Sequence, residues 1–352
     1  VSAVSLSIVM NLFTEAKERA QAMGYFGFVA AGGGSVGVLL GGVLTGAINW
    51  HAIFLVNIPI GIIVFILSLW ILPKGDAVQG GHLDVWGAIT ITSSLILAVY
   101  AIVNGNDAGW GSSQTVVLLA LAFAFLIAFL FVETKTKAPL IPLELFKLRN
   151  LTVANVVGVL WAAAMFAWFF ISALYLQLVL HYDPLHVGFA FLPANLLMAV
   201  LSFSISARLV NRFGIKPPLT FGLAAAALGL LWFARLPVEG HFALDVLPSM
   251  LLLGLGAGIA FNPVLLAAMN DVQPNESGIA SGIVNTSFMM GGALGLAILA
   301  SIAASRTASA LTAGMNQAAA LTAGYQAAFL VGAVCAGLGA LLSATLLKTK
   351  NA

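Results

Sequence analysis

The sequence predicts an all-α polytopic membrane protein, and three observations support this fold class. Of its 352 residues, 61% are hydrophobic and only 7% are charged, against roughly a quarter in a soluble domain. Its apolar stretches run for 18–27 residues without a charge, which is enough to cross roughly 30 Å of hydrocarbon as a helix. Its basic residues fall mainly in alternate connections between those stretches. So few charges are unable to coat a water-soluble globule of this size, which excludes that class.

Charges, prolines and glycine clusters divide the chain into one partial span and ten complete ones. We place these spans near residues 1–12 (partial), 22–46, 52–72, 85–103, 115–132, 153–179, 186–207, 217–234, 246–269, 279–304 and 322–347. The opening run is too short to cross a membrane by itself, so we interpret it as part of a helix. A secretory signal peptide is the alternative, but no basic segment precedes the run and several charged residues follow it.

Connections this short require successive spans to alternate in direction, so the placement of basic residues is tested at every loop. One side receives twelve of them: Lys17, Arg19, Lys74, Lys135, Lys137, Lys147, Arg149, Arg208, Arg212, Lys216, Lys348 and Lys350. The other side receives two, Arg235 and Arg306. The positive-inside rule therefore predicts that the first side, which includes the C-terminus, is cytoplasmic.

Every carboxylate, lysine and arginine lies outside the spans as drawn. Ion-coupled transporters usually hold an ionisable residue at membrane depth. The nearest candidates for that role are Asp84, just before the 85–103 span, and Glu133, just after the 115–132 span. The alternative is that each is an ordinary helix-end residue at the level of the lipid headgroups.

A glycine pattern marks the 22–46 span. Gly33, Gly37 and Gly41 are each four residues apart and share one helix face, with Gly42 beside the last. Such a face allows another helix backbone to approach closely, and generic helix packing is the simplest explanation. The surrounding sequence is more specific, because GSVGVLLGGVL is followed at once by WHAIFLVNIPIG.

These two segments resemble the antiporter signature G-x-x-x-G-P-x-x-G-G and the adjoining W-R-W-x-F-x-x-N-x-P-x-G segment of major facilitator drug exporters. Val38 stands at the proline position of the signature, and His51 at the arginine position of the second segment. Further segments that resemble the fourteen-helix drug/proton antiporters of the EmrB/QacA type are LDVWG, APLIPLELFKLRN, YLQLVLHYDPLHVGFAFLP, ARLVNRFGIKP, LLLGLGAGIAFNP and SGIASGIVNTSFMMGGALG.

The resemblance implies a major facilitator fold from which the family's first three helices are missing. It would divide the chain into the remainder of the N-terminal half (1–72, family helices 4–6), a two-helix insert with a cytoplasmic linker (73–150) and a C-terminal six-helix half (151–352). Within ARLVNRFGIKP, the residues Asn211, Arg212, Gly214 and Lys216 correspond to a cytoplasmic loop that is implied to act as a gate. Positive-inside anchoring is the alternative role.

Candidate substrate contacts are polar and aromatic groups at membrane depth. In the 153–179 span a stripe at steps of 4, 3, 4 and 3 consists of Trp161, Met165, Trp168, Ser172 and Tyr175, with Asn155 and Gln177 towards its two ends. Large rings with a few hydrogen-bonding groups suit lipophilic, often cationic compounds. The resemblance adds Asn195, Asn262 and Asn285 on helices that line or border the central cavity. Helix packing is the alternative for the stripe, and interhelical hydrogen bonding for the asparagines.

The resemblance implies a secondary active exporter of drugs or other lipophilic compounds, which works by alternating access and exchanges its substrate for protons. Two alternatives are a transport-inactive fragment of such an exporter and a transporter for one specific metabolite. A membrane-embedded enzyme is a third, but the five histidines lack metal-site spacing, so we expect no catalytic residue, metal or cofactor. The expected partners are a small lipophilic substrate, protons and the bilayer of a bacterial inner membrane, without nucleic acid. A periplasmic adaptor is left open.

Overall fold

The computed structural model describes residues 8–9, 12–13, 15–71, 84–136, 139–273 and 276–348. The regular structure of these residues is helical throughout. The α-helices are α1 (Ala16–Ala47), α2 (Ala52–Leu55), α3 (Asn57–Ile71), α4 (Val85–Ala108), α5 (Ser113–Lys135), α6 (Arg149–Leu174), α7 (Pro184–Val200), α8 (Ala207–Phe213), α9 (Lys216–Phe233), α10 (Leu247–Met269), α11 (Ser277–Thr312) and α12 (Gln317–Leu346). Short π-helical segments at Tyr175–Val179, Leu201–Ser206 and Phe242–Val246 extend α6, join α7 to α8 and precede α10.

Ten helical segments in the described part of the chain are long and apolar enough to cross a membrane. They are Glu18–Ala47, Ala52–Ile71, Val85–Gly105, Ser113–Lys135, Arg149–Val179, Pro184–Phe213, Lys216–Phe233, Phe242–Met269, Ser277–Thr312 and Gln317–Leu346. Each matches one of the ten complete predicted spans, which confirms the all-helical, multi-pass class. The predicted partial span near 1–12 lies mostly outside the described residues.

Several helices run past their predicted ends. Helix α11 has 36 residues and a length of about 54 Å, well beyond the thickness of the hydrocarbon. Its last turns therefore project past the apolar layer and contain Arg306, which the sequence places in a loop. Similarly, α5 continues to Lys135 and includes Glu133 in its final turn.

Polar residues directly before the apolar runs fix where several helices begin. The Asp84 carboxylate accepts the N–H of Gly87 (2.8 Å), and the Ser112 hydroxyl accepts that of Thr115 (3.2 Å). The Asn316 side chain caps α12 in the same way. Each satisfies a backbone donor that the first helical turn leaves without a partner.

The core of the described structure lies in the C-terminal bundle formed by α6, α7 and α9–α12. Small residues let these helices touch: a Cβ added to Gly222 of α9 would lie 2.8 Å from the Gly256 carbonyl oxygen of α10. On the opposite side, a Cβ added to Gly291 of α11 would lie 2.7 Å from the Cα of Val159 in α6. Close backbone approach of this kind replaces the hydrophobic effect as the main source of helix association in lipid.

The N-terminal helices attach to this bundle unequally. Helix α1 runs along α7 and the π-helical segment after it, whereas α4 and α5 pair with each other and α4 also contacts α11. The Ser94 hydroxyl donates to the Ala122 carbonyl oxygen (2.7 Å) and joins α4 to α5. Helix α3 buries none of its side chains within the described structure.

Candidate functional site

A cavity of about 680 Å³ lies where α1 and the short α2 meet the C-terminal bundle. It is formed by the last turns of α1, the C-terminal half of α6 and the first turns of α7, with a contribution from α11. These helix ends face away from the end of the bundle that carries Lys216 and Lys348. The cavity therefore lies in the half of the bundle nearer the side that the basic residues predict to be external.

The cavity wall is mainly apolar and includes four phenylalanines. Phe166, Phe169 and Phe170 of α6 and Phe191 of α7 line it, and the rings of Phe169 and Phe191 stack at 5.5 Å. Its side-chain hydrogen-bonding groups come from Thr45 and Gln177, and none of its lining residues is charged. Such a wall accepts bulky apolar compounds and offers ring faces to a delocalised cation.

Four of the residues predicted from the sequence line this cavity: Gly41, Gly42, Met165 and Gln177. Trp161 and Trp168 do not, because both indoles are fully buried in the bundle core. The Nε1–H of each indole has no hydrogen-bond partner there. If the aromatic stripe serves helix packing rather than substrate contact, its rings are expected to be buried in this way.

Sequence reasoning did not single out the phenylalanines, although a signal was present. Phe166, Phe170, Ala173 and Gln177 follow one another at steps of 4, 3 and 4, which is a helical stripe next to the one chosen. Both stripes are rich in aromatic residues. Periodicity therefore indicated which residues share a face of α6 but not which face lines a cavity.

The predicted asparagines lie at different places in the bundle. Asn155 donates to the Leu151 carbonyl oxygen of its own helix (2.8 Å), as polar residues often do within apolar helices. Asn195 is buried in α7, and its Nδ2 has no partner among the described residues. Asn285 is half-buried on α11. None of the three lines the cavity.

Asn262 lies at a junction between α10, α1 and the π-helical segment Leu201–Ser206. Its Nδ2 donates to the Ser202 hydroxyl (3.0 Å) and to the Ser202 carbonyl oxygen (3.2 Å). Gly27 of α1 sits directly on this pair, since an added Cβ would lie 2.5 Å from the Asn262 Oδ1. The amide thus joins α10 to the π-helical segment and sits against α1.

The glycines of the antiporter-like motif divide between two faces of α1. Gly33, Gly37 and Gly41 have no described atom near the position of an added Cβ, whereas a Cβ on Gly42 would lie 2.7 Å from the Pro184 carbonyl oxygen. Each residue of a helix advances by about 100°, so Gly42 points well away from the other three. Of the motif glycines, therefore, Gly42 contacts α7, while the close-approach role of the others remains a prediction.

The loop predicted to act as a gate ends α8 and begins α9. Gly214 adopts a positive φ of 78°, which glycine reaches without steric cost, and its N–H donates to the Val210 carbonyl oxygen (2.8 Å). The Arg212 guanidinium lies 5.1 Å from the Phe213 ring centroid. Two small clefts flank the loop: Asn211 lines one with Arg19 of α1, and Lys216 lines the other. The structure thus places the loop where α1 meets the C-terminal bundle.

The two carboxylates considered for ion coupling lie close together. Asp84 is 7% and Glu133 is 4% exposed, and the two interact electrostatically. The Glu133 carboxylate accepts the backbone N–H of Ile141 (3.3 Å). One oxygen of each, Oδ2 of Asp84 and Oε1 of Glu133, has no hydrogen-bond partner among the described residues. Two like charges are thus brought together at a site with little exposure.

An aspartate–histidine pair lies at the start of α7, next to the cavity. Asp183 caps α7 by accepting the N–H of His186 (2.8 Å), and its other oxygen lies 2.7 Å from the His186 Nδ1. The backbone hydrogen bond, followed by the side-chain one, holds the pKa of the Asp183 carboxyl below its usual value. The next residue, Pro184, lines the cavity.

Comparison with known proteins supplies independent information. Residues 1–296 match the family model described as the Major Facilitator Superfamily. The chain is 35% identical over 313 residues to the puromycin resistance protein pur8 of Streptomyces alboniger, an alignment that covers 87% of this chain and 61% of that protein.

Two further relatives have export or resistance in their names. The cephamycin export protein CmcT of Amycolatopsis lactamdurans is 32% identical over 308 residues (86% of this chain, 63% of that protein). The multidrug resistance protein Stp of Mycobacterium tuberculosis is 31% identical over 320 residues (90% of this chain, 59% of that protein). This chain spans about three fifths of the length of these curated relatives.

The family model covers most of the chain, and the described structure supplies ten helices of membrane-spanning length. This chain therefore belongs to the Major Facilitator Superfamily and is a multi-pass membrane protein.

Proposed function

We propose that this chain forms part of a secondary active exporter of lipophilic compounds, of the fourteen-helix EmrB/QacA type, in a bacterial inner membrane with its C-terminus in the cytoplasm. The observation that carries the proposal is the aromatic, uncharged cavity of about 680 Å³ between α1 and the C-terminal bundle. A volume in this range holds a drug-sized molecule. The relatives with resistance or export in their names support the same function.

The position of the cavity suits alternating access. It lies between α1, which the resemblance assigns to the N-terminal half, and α6, α7 and α11 of the C-terminal half. Rocking of one half against the other would change the separation of these walls. Gly42 allows α1 to lie directly against the first turn of α7, so a small rotation there would alter the opening of the cavity.

The proposed substrates are neutral or singly charged compounds with aromatic or other large apolar groups. A multiply charged compound would lose its hydration without gaining an ionic partner, because no charged residue lines the cavity. A delocalised monovalent cation remains compatible, since the ring faces attract it.

The first experiment measures efflux of the lipophilic cation rhodamine 6G from cells that lack their own drug pumps. The chain is expressed by itself and together with any coding sequence that precedes it in its gene. In the form that exports the dye, Phe170→Ala removes a ring that is 46% exposed and lines the cavity. We expect a fall in transport efficiency of about three- to tenfold, which corresponds to the loss of one aromatic contact.

The matched control is Phe189→Ala, which removes a ring that is 52% exposed on α7 but does not line the cavity. Equal export by the two variants would contradict the cavity assignment. Absence of export from both expressed forms would contradict the exporter proposal. Export confined to one compound out of many lipophilic ones would favour the metabolite transporter instead.

Proton exchange is the proposed driving force, and the buried Asp84–Glu133 pair is the proposed carrier of the proton. Glu133→Gln removes the titrating group but keeps an oxygen that can accept the Ile141 N–H. We expect this variant to lose uphill export while retaining downhill dye exchange in proteoliposomes. Glu144→Gln is the control, because Glu144 is exposed and pairs with Lys147. Unchanged uphill export by Glu133→Gln would refute the assignment of the carrier without affecting the exporter proposal.

A further inference from the structure

The two basic residues that the sequence assigns to the external side of the membrane line the same cavity. Arg235 and Arg306 are the arginines assigned to the external side, and they are 71 residues apart in sequence. In the structure both line one cavity of about 460 Å³ between the C-terminal end of α9, the outer turns of α11 and the first half of α12. Arg235 follows α9 and Arg306 lies on α11, so two cations from different parts of the bundle line one cavity.

Within the described residues, no carboxylate lies within ion-pair distance of Arg235 or Arg306; the ion pairs found there are Lys147–Glu144 and His186–Asp183. Opposite charge within a few ångströms is the usual compensation for two neighbouring cations in a partly apolar site. Both arginines are exposed, so an anionic ligand from outside the chain can reach them and supply that charge.

The remainder of the wall is apolar apart from one glutamine, and its two leucines are exposed. Leu231 of α9 and Leu330 of α12, which are 40% and 50% exposed, form its sides together with alanines. Gln326 is the remaining polar residue of the wall, and its Nε2 donates to the Leu236 carbonyl oxygen (2.7 Å). That bond fixes the amide and leaves its Oε1 as an acceptor for a hydroxyl group.

We propose that this cavity binds the headgroup of an anionic phospholipid in the external leaflet, with its phosphate on Arg235 and Arg306 and an acyl chain along Leu231 and Leu330. Guanidinium groups bind phosphate oxygens through paired hydrogen bonds, and their strength rises where water is excluded. The occupant is a lipid rather than a free anion, because the cavity is lined mostly by apolar side chains that a free anion would not contact. The positive-inside rule disfavours basic residues on the external side. An anionic lipid bound here would compensate the positive charge of the two arginines.

The experiment uses the whole purified chain in nanodiscs that contain dioleoylphosphatidylglycerol or dioleoylphosphatidylcholine, and native mass spectrometry measures retained lipid. The test variant is Arg235→Gln with Arg306→Gln. The control, Lys135→Gln with Arg208→Gln, removes two exposed cations at the opposite end that line none of the cavities described above.

We expect the unaltered chain and the control to retain one phosphatidylglycerol at least about tenfold more tightly than the test variant does, a factor in keeping with the loss of charged hydrogen bonds. Phosphatidylcholine should show no such difference. Each single arginine variant should give a partial loss, which covers the case in which the double variant does not fold. Equal retention by test and control would overturn the proposal. Displacement of the lipid by millimolar inorganic phosphate would overturn the choice of a lipid as the ligand.

Discussion

The contact between Gly27 and the Asn262–Ser202 pair gives a sharp test of how α1 is held against the C-terminal bundle. Gly27→Ala would place a Cβ against the Ser202 hydroxyl and 2.5 Å from the Asn262 Oδ1. Both side chains would have to move. The Asn262 amide would then lose its hydrogen bonds of 3.0 and 3.2 Å to Ser202, in a place that water does not reach.

The magnitude follows from two opposing effects. A buried amide left without partners costs roughly 1–3 kcal/mol. Alanine in place of glycine within a helix contributes about 0.5–1 kcal/mol of stability. We therefore expect Gly27→Ala to lower the free energy of unfolding by about 1–2 kcal/mol. Gly37→Ala should raise it by about 0.5–1 kcal/mol, because its Cβ would meet no described atom.

The measurement is the temperature at which half of the detergent-solubilised protein is lost from the monodisperse peak in size-exclusion chromatography. The two variants change the same residue type on the same helix, so intrinsic helix propensity cancels in their comparison. Shifts of opposite sign are expected. A stabilised Gly27→Ala variant, or equal shifts in both variants, would refute the packing of α1 on this polar pair.

Two further predictions concern the bundle core and the N-terminal cap of α7. Trp168→Ala should destabilise the bundle by about 3–5 kcal/mol, because it empties a fully buried site. In the fraction of this variant that folds, competition between dyes for export should be unchanged. A changed order of competition would indicate that Trp168 contacts the substrate. The hydrogen bonds from His186 lower the pKa of the Asp183 carboxyl in the folded protein. The ionised carboxylate therefore contributes its full stabilisation above about pH 3.9, the usual aspartate pKa, and this stabilisation is lost as the pH falls through the lowered pKa. Asp183→Asn should therefore lack that acidic step when thermal stability is measured against pH; a superimposable curve would contradict the cap.

The sequence was sufficient for the fold class because lipid imposes a simple rule on it. Helices are needed to satisfy backbone groups in hydrocarbon, and each needs about 20 apolar residues. The ten complete spans therefore follow from the apolar runs, and the structure confirms them. The main differences lie at helix ends such as that of α11, because a helix can continue into water without a change in its hydrogen bonding.

The site was harder to predict, and α6 shows why. In a soluble protein the polar face of a helix marks the side that faces water, and the apolar face marks the core. In a bilayer both the lipid and the core are apolar, so that contrast disappears. Trp161 and Phe170 look alike in sequence, yet the first is buried in the bundle and the second lines a cavity.

By itself, the sequence determined that this chain is a multi-pass helical membrane protein, and its motifs indicated its superfamily. It also assigned Arg235 and Arg306 to one side of the membrane and the other twelve basic residues to the opposite side. Only the tertiary structure decided which faces of α1 and α7 meet, that four phenylalanines line a cavity, and that Arg235 and Arg306 share a site. The reason is physical: hydrocarbon selects residues by polarity along the chain, whereas the rotation of each helix about its axis is selected by contacts with helices that are distant in sequence.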